Sequence, residues 1–324
     1  MITTMVGNYP KISPDSKAPS LRAAITRHDA GRITGDELRK VEEEVTKEVI
    51  QDQIDAGIDL VTDGHIRWDD GQTYFARGID GFTINGLIRY FDTNTYYRHP
   101  VPEKALESQG PIAVKDYEFA AANSARPVKA VIPGPYTLAR LSQLGCYGDL
   151  ASLVKDLVPI LNKEALALQK AGASVIQFDE PAILKHKEDI DLFAGAIEGV
   201  TQGVTATTAV YTYFQDVQGI QGRLFELPVN IIGMDFVVGL ANFDLIQTFP
   251  SDKMLACGIV DARNTRLETV EEIVSDIERI SKSVSLDRLY VNPSCGLDFL
   301  PRPSARAKLA RLAEGVKKAR EVLS

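Results

Sequence analysis

Residues 174–182 read SVIQFDEPA, and the interpretation of the whole chain turns on them. Val175, Ile176 and Phe178 form the β-branched and aromatic run expected of a buried parallel strand. The run stops at two adjacent carboxylates, Asp179 and Glu180, followed by a proline. Pro181 disfavours helical geometry in the residue before it and brings no amide hydrogen, so a helix does not run through the acids. Both acids therefore fall at the carboxyl end of a core strand, which is where barrels and open α/β sheets bind ligands. Taken alone, the same pair would also serve as solvated strand-end acids or as caps for the next helix.

Working outward, residues 150–171 carry a long apolar-faced helix pattern that Gly172 ends, which completes one βα unit with the strand. The alternation continues downstream. Strand patterns at 204–211, 230–234, 254–260 and 288–291 are interleaved with helix patterns at 217–227, 243–248 and 267–284, and a final helix pattern covers 304–323. Upstream, strand patterns lie at 2–7, 58–62 and 127–132, with an amphipathic helix pattern at 35–56. Eight strands alternate with helices, no GxGxxG follows the first strand and no GxxxxGK[ST] occurs. These features predict an α/β fold, a (β/α)8 TIM barrel, as one domain over residues 1–324. An insertion at about 71–125 interrupts it after the second strand. Within it, residues 78–97 are rich in aromatic and β-branched side chains and contain Asn85-Gly86, which reads as a β-hairpin at the mouth.

Polar residues cluster where the strands end. Gly7 and Asn8 follow the first strand, and Asp63, His65 and Trp68, the only tryptophan, follow the second. Asp179 and Glu180, then Tyr211 and Tyr213, then Asp235, then Asp261 and Arg263, and finally Asn292 and Cys295 end later strands. A formal charge of −8 argues against nucleic acid or an acidic membrane as the main partner, leaving a small-molecule substrate. Three unevenly spaced cysteines make no disulfide framework, and neither a leader nor an apolar run long enough to span a membrane is visible. A cytoplasmic protein is expected.

In order along the chain, VGNYPK, AGIDLVTDG, FDTNTYY, VIPGPYTLARL, IQFDEPAIL, TYFQDV, GMDFV, CGIVDARNTRLETVEEI and YVNPSCGL resemble the cobalamin-independent methionine synthase family. Full-length members of that family carry two homologous barrels. The resemblance implies methyl transfer from a folate or corrinoid donor to homocysteine or a related thiol. It also implies roles for individual residues. Val6, Gly7 and Asn8 match the stretch that holds the amino-acid substrate, and Asp179 matches the acid that grips its amino group. Arg263 stands near a position where a histidine assists proton transfer, so Asp179 and Arg263 are the expected catalytic residues. Asp63, His65, Trp68, Glu180 and Tyr213 are expected to bind substrate, with His65 where the catalytic barrel has a glutamate.

The family's zinc is held by a histidine and a cysteine one residue apart after one strand, an acid after the next and a cysteine after the last. Asp235 and Cys295 match the last two and are the expected metal ligands. Where the first pair belongs, this chain reads Val210-Tyr211-Thr212-Tyr213-Phe214, and no histidine is followed two positions on by cysteine. Phenols and a threonine do not replace soft nitrogen and sulfur donors. FDTNTYY, TYFQDV and DARN are closer to the family's N-terminal barrel, which lost the metal and helps to hold the folate. An alternative is therefore a non-catalytic donor-binding or scaffolding barrel of a split synthase, partnered by a second barrel or a corrinoid protein. Uroporphyrinogen decarboxylase-like barrels work without metal, but no tetrapyrrole signature is evident.

Overall fold

The computed structural model describes residues 1–13 and 16–323. Nine strands are present among them: β1 (Ile2–Thr3), β2 (Ile79–Arg89), β3 (Tyr96–Ser108), β4 (Ala130–Pro133), β5 (Val175–Asp179), β6 (Thr207–Tyr211), β7 (Ile231–Asp235), β8 (Met254–Val260) and β9 (Leu289–Pro293). Seven form one curled parallel sheet in the order β1-β9-β8-β7-β6-β5-β4. Its gap is closed by residues 58–62, which contribute only bridges, Thr4 to Leu60 and Val61 to Val128. The Leu60 amide donates to Thr3 and the Lys129 amide to Val61, each at 3.0 Å, so this eighth stave is joined on both sides.

Every barrel strand runs parallel, so all the carboxyl ends open on one mouth. Registry sets Pro133, Asp179, Tyr211 and Gly233 side by side at that end. Side chains alternate across a strand, so Gln177 and Asp179 point into the barrel while Ile176 and Phe178 pack outward against helices. The Tyr211 ring fills the barrel centre against Gly233, where any Cβ would overlap it. The C-terminal helix Arg302–Leu323 locks the ring through Arg302, which pairs with Asp52 at 2.7 Å and Glu48 at 3.1 Å on the helix Gly35–Asp55.

Two local expectations are corrected. Asn85-Gly86 is not the hairpin turn: it sits inside β2 at a register shift, where Gly86 takes a φ of +62°. The antiparallel pair β2–β3 runs on to a tip at residues 90–95, closed by the Tyr90 amide donating to Thr95 at 2.9 Å. A left-handed glycine therefore marks a bulge here. Likewise, only Gln221–Phe225 of the helix pattern at 217–227 is helical. Val217, Ile220, Leu224 and Leu227 are all buried at helix-like spacing, but Gly219 has a φ of +89° and the leading residues form a turn. Helices at Leu21–Asp29, Gly71–Arg77 and Val114–Ala122 were not anticipated.

Candidate active site

The mouth encloses a cavity of about 310 Å³ between the barrel and the hairpin. Asp179 forms its floor, Asn8, His65 and Trp68 one wall, and Tyr90, Tyr213, Phe214 and Phe299 the aromatic side. Asp179 Oδ1 accepts from Gln177 Nε2 at 2.6 Å, and Oδ2 accepts from the Tyr213 hydroxyl at 3.3 Å. Burial pushes this carboxyl up to about 7, against the pull of the Gln177 hydrogen bond, the Lys129 charge and the Tyr213 hydroxyl. Near neutrality the floor of the cavity can thus be either charged or neutral.

Glu180 is placed differently, which corrects its expected role in substrate binding. It is fully buried, and its two oxygens accept from the amides of Tyr136 at 3.0 Å and Thr137 at 2.7 Å. It caps the short helix Pro135–Arg140, whose own N-cap residue, Gly134, has no side chain to do so. A Cβ on Gly134 would overlap the Glu180 carboxylate, so the glycine makes room for the cap. Of the two adjacent acids, one faces the cavity and the other holds the frame.

His65 sits at a φ of +53°, 2% exposed, and stacks on Trp68 with ring centroids 3.6 Å apart. Its Nδ1 meets Asn8 Oδ1, and burial holds its pKa down to about 3, so the ring is neutral. Around the cavity, His65 Nε2, Trp68 Nε1, Gln72 Oε1 and Asp298 Oδ1 are buried without a hydrogen-bond partner among the described residues and can meet a polar ligand. Val6, Gly7 and Asp63 do not line the cavity. The Val6 carbonyl accepts from Gln177 at 2.8 Å and the Gly7 carbonyl from Thr62 at 3.0 Å, while Asp63 accepts from the His65 amide at 3.0 Å. These three residues shape the wall from behind.

Arg263 lies at the rim, exposed, outside the cavity lining. Its guanidinium donates to the Asp92 carbonyl on the hairpin tip at 3.0 Å and lies over Phe214 at 5.5 Å. Lys185 pairs with the Asp92 carboxylate at 2.6 Å, so two cations tie the tip across the mouth. Arg263 therefore acts on the hairpin.

The expected zinc ligands do not form a donor set. Both Asp235 oxygens accept backbone hydrogen bonds: Oδ2 from the Phe214 amide at 3.1 Å, and Oδ1 from Val237 and Val238 at 2.8 and 3.0 Å. Burial pushes Asp235 up to about 6 and raises the Cys295 thiol well above its ordinary value. Among the described residues no three His, Cys, Asp or Glu side chains are grouped to hold a metal. The residues present do not fit zinc.

Sequence reading missed Lys129, Gln177, Lys11, Tyr90 and Asp298. Lys129 is 3% exposed inside the barrel and donates to Gln177 Oε1 at 2.6 Å and to the Met5 carbonyl. A lysine at an inward position of an apolar strand was a usable signal, because such a charge is buried only when something inside holds it. Lys11, Tyr90 and Asp298 reach the cavity from loops and the hairpin tip, which no periodicity announces.

Comparison with known proteins follows the same lines. The family model described as cobalamin-independent synthase, catalytic domain, matches residues 1–318. A methionine synthase of Saccharolobus solfataricus is 34% identical over 325 residues, spanning 99% of this chain and 95% of that protein. The methionine synthase of Sulfurisphaera tokodaii is 32% identical, with coverage of 99% and 93%. Among solved structures, a B12-independent methionine synthase from Shewanella sp. W3-18-1 in complex with selenomethionine superposes with a TM-score of 0.86 at 24% identity, covering 99% of this chain and 98% of that one. A putative vitamin-B12 independent methionine synthase from Listeria monocytogenes gives 0.76 at 17% identity, covering 97% and 98%. At those identities the two structures show a shared barrel fold. No helix among the described residues is long and apolar enough to cross a membrane.

Proposed function

Because the chain belongs to the cobalamin-independent methionine synthase family, we propose that its cavity methylates the sulfur of homocysteine or a closely related amino-acid thiol, with a methylated folate as donor. The observation that carries this reading is Asp179, an acid on the cavity floor held at the edge of ionisation. An entering ammonium draws it into the charged form, and its oxygens keep lone pairs beyond those used by Gln177 and Tyr213. The selenomethionine bound by the Shewanella relative supports an amino-acid ligand in such a barrel.

Trp68, Tyr90, Phe214 and Phe299 exclude water from the transfer path, and the hairpin tip held by Arg263 and Lys185 covers it. The sulfur–carbon bond forms as the carbon–nitrogen bond of the methylfolate breaks, and the thiol proton ends on the released pterin nitrogen. With no zinc donor set, the thiol reacts through the few per cent ionised near neutral pH.

The test supplies the purified chain with homocysteine and either 5-methyltetrahydrofolate, as mono- and triglutamate, or methylcobalamin, and measures methionine by mass spectrometry. Methionine from methylfolate is the expected result, whereas formation only from methylcobalamin would move the donor to a corrinoid. No product from either donor, together with no calorimetric binding of homocysteine or methionine, would refute the proposal. Activity that appears only on adding a second barrel would favour the split-synthase alternative.

A further inference from the structure

Beneath Asp179 the barrel buries a cation that the methyl transfer described above does not touch. Lys129 lies inside the sheet, its Nζ 2.6 Å from Gln177 Oε1, within reach of the Met5 carbonyl and 4.8 Å from the centre of the Tyr211 ring. It pairs directly with no carboxylate among the described residues. Gln177 stands between it and the acid, donating from Nε2 to Asp179 Oδ1 at 2.6 Å and to the Val6 carbonyl at 2.8 Å. An ammonium can only donate and a carboxylate can only accept, so the amide is forced into one orientation, oxygen toward lysine and nitrogen toward aspartate. Neither an apolar side chain nor a second carboxylate at position 177 could make both contacts.

We propose that Lys129 and Gln177 are positioning residues for Asp179: the buried ammonium, relayed through the oriented amide, fixes the carboxylate in one rotamer and favours its charged form for binding a substrate ammonium. This rests on the reading that Asp179 contacts the ligand. Other groups face the acid as well: Tyr213 at 3.3 Å with Tyr90 behind it, Tyr211 on β6 and Glu180 next in the chain. Lys129 also acts on His65, helping to keep that ring neutral. Burial lowers Lys129 itself to about 7, with the Asp179 charge opposing, so lysine and aspartate change charge over the same pH range. Loss of the lysine charge by substitution then raises Asp179 and weakens ammonium binding below neutrality.

The test reads Asp179 directly by carboxyl 13C NMR, its signal assigned by its loss in Asp179→Asn, in the wild type and in Lys129→Met and Gln177→Leu. Both variants should raise the Asp179 midpoint by about one pH unit or more. In the methyl-transfer assay at pH 6.5 the KM for the thiol substrate should rise about tenfold, with kcat little changed. An unmoved midpoint in a folded variant would overturn the proposal, reducing Lys129 to a polar filler of the barrel. Should neither variant fold, the wild type still decides: coupled groups give Asp179 a two-step titration, and a single step in the ordinary carboxylate range would overturn the coupling. The NMR shift requires no turnover, so a moved midpoint without methyl transfer would uphold the relay and count against the reaction alone.

Discussion

Replacing Glu180 with glutamine separates the two acids of the opening motif. Glu180 gives one oxygen to each of the amides of Tyr136 and Thr137, at 3.0 and 2.7 Å. Glutamine keeps one acceptor and turns an NH2 group against the other amide, so a charge-assisted bond is lost and a buried N–H is left unpaired. Each of these costs about 1–3 kcal/mol. Burial pushes Glu180 up to about 8, so the neutral acid that glutamine imitates is already populated at pH 7, and the total belongs toward the low end. We expect about 3 kcal/mol. A chain of 324 residues unfolds with an entropy of about 0.7 kcal/mol/K, so Glu180→Gln should lower Tm by about 4 °C. Calorimetric affinity for homocysteine should stay within about twofold, because the side chain does not reach the cavity. Asp179→Asn should do the reverse, leaving Tm nearly unchanged while weakening affinity about 100-fold through loss of a buried charge-assisted contact. A Glu180→Gln protein with wild-type Tm and lost affinity would refute the assignment of cap and ligand residue.

Gly134→Ala should destabilise the fold more than Glu180→Gln, because its methyl group would displace the cap as well as crowd it; a wild-type melting curve would show that the cap is not where the geometry puts it. His65, held at about 3 by burial, should show flat imidazole NMR shifts from pH 8 to pH 5. Since unfolding lets this ring take up a proton near 6.5 that the folded state refuses, its contribution should lower stability as pH falls from about 7 toward 3. An imidazole midpoint near 6.5 in the folded protein would contradict both statements. Protein purified from zinc-supplemented medium should carry far less than one zinc per chain by plasma mass spectrometry, and added zinc should not raise Tm; a stoichiometric, stabilising zinc would overturn the reading of Asp235 and Cys295.

The barrel was legible because its strands and helices carry opposite periodicities and because its polar residues collect at strand ends. Even residues 58–62, joined to their neighbours only by bridges, announce themselves by delivering Asp63 and His65. Asn85-Gly86 misled because a local turn signal cannot tell a turn from a bulge. The tip forms five residues later, where Thr93 bonds back to the Tyr90 carbonyl. Asp179 and Glu180 could have been told apart. With Gln177 and Asp179 inward, strict alternation sends the next residue away from the cavity. Gln177 was hidden by the apolar run around it, whereas Arg263 points at the hairpin for a tertiary reason, the Asp92 carbonyl.

Asp235 shows what the expected acidic ligand does in this chain. The resemblance assigns it the acidic zinc position, but here its carboxylate ties the loop after β6 to the loop after β7 through three amides. One of those amides belongs to Phe214, which is held at a φ of +83°, a left-handed conformation that a bulky side chain adopts only under constraint. That constraint turns the Phe214 ring toward Phe91 of the hairpin tip and under Arg263. The acid and the aromatic side of the mouth are therefore joined through the Phe214 amide. Restoring histidine and cysteine at positions 210–214 alone would still leave this carboxylate committed to the backbone. The carboxylate that the resemblance assigns to a metal thus serves in this chain to set the Phe214 backbone and, through it, the ring that meets the hairpin.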